Sequence, residues 1–317
     1  MSKPLDRKWA LAIFACRESK EQLINTLGAA RRSTNSDTTI DLLINGNNPL
    51  ANELGKWLET CGEDWARLRV WSIKFGDKAN AWNSYFHQIW QGEELAFFSD
   101  GYVSLRPDSV HLLGSALLEQ PNKLGGSGIP SGSKSARQLA RTMLSEGGFH
   151  GNFCALKGDV INDIKRRSIR IPRGLYRTDS LIGAWLSFGL NPVDHGWDPD
   201  RLLVHPNVTW DTPPKHWWRY SDIVATFRRK LRQARGRLEN TAIRYFLATR
   251  KWQPESLPSD ARQLINNWIA NCPREWQTTS RFDPLARHVL HSLADMTNLD
   301  SSEIQPQLIW QRHQIPV

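Results

Sequence analysis

An α/β domain with a mainly parallel sheet flanked by helices, followed by a C-terminal helical appendage, is the fold class this sequence predicts. Three features point there. Short apolar runs alternate with stretches of helical spacing through about the first two thirds of the chain. Turn signals close several of those runs. After Pro213-Pro214, strand-like runs give way to a long basic helical stretch. The division falls at 1–215 for the α/β domain and 216–317 for the appendage. A length of 317 residues suits one large domain with an addition, or two domains.

Trp9 to Ala15 (WALAIFA) is a short apolar run and reads as a buried strand. Glu18 to Arg32 carries Leu23, Leu27 and Ala30 at helical spacing. Ile40 to Ile44 is a second buried strand, closed by Asn45-Gly46-Asn47-Asn48-Pro49. Leu50 to Thr60 is helical, Leu68 to Ile73 is a third strand, and Ala79 to Trp90 is a third helix. Leu95 to Phe98 is a fourth strand, ending at Ser99-Asp100-Gly101. Strands alternating with such helices predict βαβ units, whose ligands bind beyond the strand carboxyl ends. Lys123 to Ser135 (KLGGSGIPSGSKS) reads as a flexible loop, with no phosphate-loop pattern after a strand. Phe149 to Lys157 is strand-like, Asp179 to Phe188 helical, and Leu202 to Val204 a last short strand. Tyr220 to Arg250 is the basic helical stretch, with further helices beyond it.

Composition narrows the function. Hydrophobic residues make up 40 % and charged residues 23 %, enough for a packed core. Cys16, Cys61, Cys154 and Cys272 show no CxxC spacing, so neither a zinc knuckle nor a disulfide framework is indicated. No apolar run reaches the ~18 residues of a membrane span, and the charged start, Met1 to Trp9, is unlike a signal peptide. A cytoplasmic location is expected, with a peripheral place at the inner membrane face as an option. The formal charge of +9 suits polyanionic or phosphorylated partners. The 15 Trp residues suit stacking or an interface, and also plain core filling.

Four blocks carry chemistry. Gly76-Asp77-Lys78-Ala79-Asn80-Ala81-Trp82-Asn83 opens a helix after the third strand, where a helix N-terminus and the Lys78 charge would meet a phosphate. Asp100-Gly101-Tyr102, followed by Pro107-Asp108, ends the fourth strand. Gly147-Gly148-Phe149-His150-Gly151-Asn152 enters a strand through glycines that let backbone approach a ligand. Thr178-Asp179-Ser180 starts a helix, where an Asp alone is most often an N-cap.

Taken in this order, the blocks over residues 9–212 resemble the family-2 glycosyltransferases, which share the GT-A nucleotide-sugar-binding fold. The resemblance implies transfer of a sugar from a nucleotide-diphospho-sugar to a hydroxyl acceptor, with inversion. It implies Asp179 as general base. It implies donor contacts at Arg17, Glu18, Asn45, Lys78, Asn83, Asp100 and Tyr102, and acceptor contacts at Gly148, His150 and Asn152. It further implies a divalent cation, Mn2+ or Mg2+, on a DxD pair. Asp100 matches the first acidic position and Tyr102 stands at the second. Either the ion is held partly by others, such as His205, or the enzyme works without one. His195, or no histidine, is equally compatible. Thr178 stands where the family has Glu, and Asn45 where it often has Asp.

In the basic helical stretch, Val224, Phe227, Leu231 and Leu238 follow one helical stripe, with basic residues filling the rest of Phe227 to Leu238. It could rest on an anionic membrane near a lipid-linked acceptor, bind nucleic acid, or simply pack on the domain. Surface polysaccharide or glycolipid synthesis is the setting the resemblance suggests, and no nucleic-acid partner is expected. Rival readings are a nucleotidyltransferase, a degenerate transferase fold used only for binding, and a basic nucleic-acid-binding protein. The first needs a glycine-rich loop after the first strand, which Ala15-Cys16-Arg17-Glu18-Ser19-Lys20 lacks.

Overall fold

The computed structural model describes residues 9–62, 65–212, 220–293, 296 and 299–312, and for 220–229 the backbone alone. Four apolar runs begin the fold as β1 (Trp9–Ala15), β2 (Thr38–Asn45), β3 (Leu68–Ile73) and β4 (Leu95–Asp100). They are parallel and lie side by side in the order β4-β1-β2-β3, so their carboxyl ends share one edge. The connecting helices are α1 (Lys20–Ser33), α2 (Asn48–Thr60) and the short α3 (Lys78–Ser84), which runs on through a π-helical turn to Ile89.

Alternation along the strands makes two cores. Leu11, Ile13 and Ala15 of β1 face α1, α2 and α4 (Ser109–Leu118). Ala12 and Phe14 face α3, α6 (Gly158–Arg166), α7 (Thr178–Ser187) and α8 (Tyr220–Arg244). Under the carboxyl edge this second core is aromatic: Trp82 and Phe98 lie 4.2 Å apart, and Phe14 lies 4.9 Å from Trp82.

Beyond β4 the sheet becomes mixed. β7 (Phe153–Lys157) is antiparallel to β4, and β6 (Gly125–Pro130) is antiparallel to β7 and parallel to β8 (Leu202–Asp211), with the short β5 (Ser104–Leu105) at the edge. The loop expected at Lys123 to Ser135 is therefore corrected to a buried strand followed by α5 (Lys134–Glu146). Crowding explains the glycines. A Cβ on Gly125 would meet the Ala155 carbonyl oxygen at 2.7 Å, and one on Gly126 the Leu203 oxygen at 2.8 Å. Gly126→Ala is expected to cost about 1–3 kcal/mol of stability, as overpacking does, read by denaturant unfolding. β8 runs past the expected end at Val204 because His205-Pro206-Asn207 sits at an irregularity in the ladder, after which pairing resumes at Thr209.

The C-terminal region is helical as expected, through α8, α9 (Ala261–Asn271), α10 (Pro273–Phe282), α11 (Pro284–Ser292) and the short α12 (Ser301–Ile304). It then returns to the sheet. β9 (Gln307–Gln311) pairs antiparallel with β3, and Ile304 offers its carbonyl to the Asn80 amide at 2.8 Å. The nine-stranded sheet of the described residues thus takes its last strand from the region assigned to the appendage. In the second half of α8, Ala234, Leu238 and Ala242 are buried, and Arg235 and Arg237 pair with Glu239 and Asp283. Of the basic stretch, the side chains of 220–229, Val224 and Phe227 of the expected stripe among them, lie outside the described residues. Among the described residues no helix is long and apolar enough to cross a membrane.

Candidate active site at the carboxyl ends of the parallel strands

Asp100 is the last residue of β4 and nearly buried. One of its oxygens takes an ion pair from the Lys78 ammonium, and the other accepts from the Tyr102 hydroxyl at 2.9 Å. Tyr102 also donates toward the Asn152 side-chain oxygen at 3.1 Å, linking β4 to the turn before β7. In that turn Gly151 donates its N–H to Asp179 Oδ2 at 3.3 Å. A Cβ on Gly151 would lie 3.2 Å from Asp179 Cβ and 3.5 Å from Lys78 Nζ. A side chain there would press on Asp179 and touch Lys78, and the bare backbone spares them that crowding. Gly148, the glycine expected to matter, packs instead on Met143 of α5. Asp179 lies in the first turn of α7, where the helix end favours an anion, and its Oδ1 accepts from the Ser180 N–H at 2.9 Å.

The charges are strongly coupled. Burial works against the Lys78 ammonium, but Asp100 and, more weakly, Asp179 outweigh it, so its pKa stands above the ordinary lysine value. Burial pushes the Tyr102 phenol well up, and Asp100 adds to this, so it remains a proton donor. His150 is held below the usual histidine value by burial, against the pull of Asp179 and Asp100, and is neutral at pH 7. Its Nδ1 accepts from the Asn152 N–H at 3.1 Å, and its ring packs 5.0 Å from Trp210. The buried Cys154 thiol beneath the site is pushed well up by desolvation and is no nucleophile.

The ends of β1 and β2 form the neighbouring floor. Glu18 folds over its own loop and accepts from the N–H groups of Cys16 at 2.6 Å and Arg17 at 2.8 Å, leaving the Arg17 side chain exposed. Asn45 donates to the Ala15 carbonyl at 2.8 Å and so ties the two strand ends. Beside it the backbones of Gly46 and Gly76 touch. A Cβ on Gly46, whose φ is +72°, would meet Gly76 Cα at 2.5 Å. The two glycines next to Asn45 are exposed and put no side chain of their own over that strand end.

Two buried carboxylates outside the expected set hold the segment that leads to Asp179. Asp77 caps α3 through the N–H groups of Ala79 and Asn80 and also accepts from Gly174 N–H at 2.9 Å. The expected open helix start is thereby corrected: its first N–H groups already have a partner. Glu239, fully buried on α8, accepts from the N–H of Tyr176 at 3.0 Å and of Arg177 at 2.8 Å, and pairs with Arg235 at 2.7 Å. Burial pushes the Glu239 carboxyl up, while Arg235 and the two N–H groups pull it back. An acidic residue breaking a basic helical run was the one signal in the sequence that could have found it.

Other expected residues stand apart. Asn83 is buried, and its amide makes both bonds to the Ile171 backbone, each 2.9 Å, so it braces the loop before α7 and is not open to a donor. The His205 ring accepts from Asn207, and burial alone lowers its pKa, so no carboxylate acts on it. His195 lies in a loop against Phe188 and Arg201. Among the described residues no three His, Cys, Asp or Glu side chains cluster as metal ligands. With Asp100 taken by Lys78 and Tyr102, the residues present do not fit a divalent cation. A cavity of about 930 Å³ opens at the opposite edge of the sheet. There Arg67 pairs with Asp37, Arg69 with Asp41, and Lys157 with a backbone carbonyl, so it lacks the convergent groups of the carboxyl edge.

Comparison by sequence matches no family model and no curated protein. Comparison of structures does find similar folds. A mannosyltransferase from Pyrobaculum calidifontis, solved in complex with GDP-Man and Mn2+, superimposes with a TM-score of 0.56 at 13 % identity, over 90 % of this chain and 85 % of that one. A mycobacterial protein gives 0.50 at 12 % identity, over 77 % and 76 %. Glucosyl-3-phosphoglycerate synthase from Mycobacterium tuberculosis, in complex with Mn2+, UDP-glucose and phosphoglyceric acid, gives 0.49 at 13 % identity, over 77 % and 80 %. The chain has a GT-A-type glycosyltransferase fold, an α/β sheet flanked by helices with further helices at the C-terminus.

Proposed function

We propose that this protein is an inverting glycosyltransferase that moves a sugar from a nucleotide-diphospho-sugar donor to an acceptor hydroxyl. The observation that carries this reading is the meeting of the Lys78–Asp100 pair with Asp179 across the bare backbone of Gly151. Cation and carboxylate thus face one space at the edge where α/β sheets bind ligands. The exposed backbone of Gly46 and Gly76 beside Asn45 would take the nucleoside, with Arg17 nearby, and Lys78 the diphosphate. Asp179 would remove the acceptor proton as its oxygen attacks the anomeric carbon. The bond from that carbon to the diphosphate oxygen breaks, and its electron pair leaves with the nucleotide. His150 and Asn152 line the acceptor side. A hexosyl donor, a saccharide or lipid-linked acceptor, and a setting in surface polysaccharide or glycolipid synthesis complete the reading. Approach to an anionic membrane would then fall to the basic helical segment around Phe227 to Leu238.

Titration calorimetry with uridine, guanosine and thymidine diphosphates, followed by a donor panel read by nucleotide release, tests it. One diphosphate should bind, and its sugar donors should turn over. Binding without turnover of any donor would favour a degenerate fold kept for binding. Absence of all binding would remove the transferase reading.

A further inference from the structure

The mannosyltransferase of similar fold was solved in complex with GDP-Man and Mn2+. In this chain the strand end that the resemblance assigns to a cation is occupied otherwise. The Lys78 ammonium sits on one oxygen of Asp100, and the Tyr102 hydroxyl on the other. Where a second carboxylate would stand there is a phenol. The positive helix start next to it is closed, because Asp77 already accepts from the N–H groups of Ala79 and Asn80.

We propose that the Lys78 ammonium, anchored by Asp100, supplies the positive charge for the donor diphosphate, so that donor binding needs no divalent cation. The proposal rests on the nucleotide-sugar reading above. Charge balance supports it. A divalent cation on two carboxylates is neutral overall, and so is one ammonium on one carboxylate. Tyr in place of the second Asp removes one negative charge, and Lys in place of the metal removes one positive charge. The phenol stays protonated, since burial and Asp100 both push its pKa up. Geometry supports it as well. An ammonium has three donors, and a single carboxylate oxygen takes one of them. About a third of the Lys78 side chain is exposed, and Gly151 places no side chain of its own beside Nζ, with Asp179 the close neighbour across that turn. Asp100 then serves as the group that aims the ammonium, rather than as a metal ligand.

The test uses the full chain and whichever of uridine, guanosine or thymidine diphosphate binds it. Calorimetry is run in chelator and in Mn2+, on the wild type, Lys78→Met and Lys78→Arg, with thermal melts beside them. Wild-type affinity should agree within about threefold between chelator and Mn2+. Lys78→Met should weaken binding about 10–100-fold, as loss of a hydrogen bond from a charged group does, and Lys78→Arg should keep most of it. Binding that appears only with Mn2+ overturns the proposal while leaving the nucleotide-sugar reading intact. Metal-free binding that Lys78→Met leaves unchanged overturns the role of Lys78. No binding in either condition fails the underlying reading, and this proposal with it. If Lys78→Met does not fold, the paramagnetic resonance of Mn2+ decides. The free-ion signal in the presence of nucleotide should be no lower with wild-type protein than without it, and a further loss on adding the protein overturns the proposal.

Discussion

Asp179→Asn is expected to lower turnover by about 10²–10⁴-fold, the span that loss of a general base typically costs, with nucleotide affinity and melting temperature close to wild type. The asparagine keeps an oxygen for the Ser180 N–H and gives up a long contact from Gly151 and a favourable charge near the start of α7. Those losses sum to about 1 kcal/mol or less. The other nearby base is His150, and its hydrogen bonding argues against it. Because Nδ1 accepts the Asn152 N–H, the neutral ring carries its proton on Nε2 and can only donate there. His150→Gln should therefore alter acceptor KM more than kcat. Steady-state kinetics on both variants reads this directly. Retention of more than about a tenth of wild-type kcat by Asp179→Asn would place the base elsewhere. Loss of folding would make Asp179 a cap and nothing more.

The parallel half of the fold was legible because its strands are continuous apolar runs separated by helical spacing. β1 and β3 fall where Trp9 to Ala15 and Leu68 to Ile73 predict them. β6 was not legible. A strand made of glycines has no hydrophobic pattern, and the need for glycine arises only when the carbonyls of β7 and β8 press against it. β9 was hidden for a related reason: five residues on a half-exposed edge bury too little to leave a signal. At the site, Lys78, Asp100, Tyr102, His150, Asn152 and Asp179 do come together: Lys78, Asp100 and Tyr102 lie at or just after the carboxyl ends of β3 and β4, His150 and Asn152 in the turn that enters the antiparallel β7, and Asp179 in the first turn of α7. Asn83 misled because residue type and position were right while its bonding partner, the Ile171 backbone, is set by tertiary structure. Asp77 and Glu239 have partners 97 and 63 residues away, and no local pattern reports such pairings.

Glu239 leads to the second large effect, because it joins the helical C-terminal region to the chemistry. Its carboxylate holds the backbone of Tyr176 and Arg177, immediately before α7. Asp77, next to Lys78, holds Gly174 from the other side. The segment is thus fixed at both ends by buried charge, and the helix it begins carries Asp179. Glu239→Ala leaves the N–H groups of Tyr176 and Arg177 without their acceptor and Arg235 with only the Gly174 carbonyl. Breaking a buried pair in this way costs about 3–5 kcal/mol, so the melting temperature should fall sharply. Glu239→Gln is the informative variant. It keeps the shape and one acceptor oxygen but weakens the grip, so Asp179 should shift by a fraction of an ångström. Small misplacements of catalytic groups cost up to about 10²-fold. We expect Glu239→Gln to lower kcat about 10–100-fold per folded molecule, with the donor KM nearly unchanged. Placed on the Asp179→Asn background it should lower turnover little further, since residues that act through one another are not additive. A full additional loss there would show that Glu239 supports the fold generally and has no particular claim on Asp179.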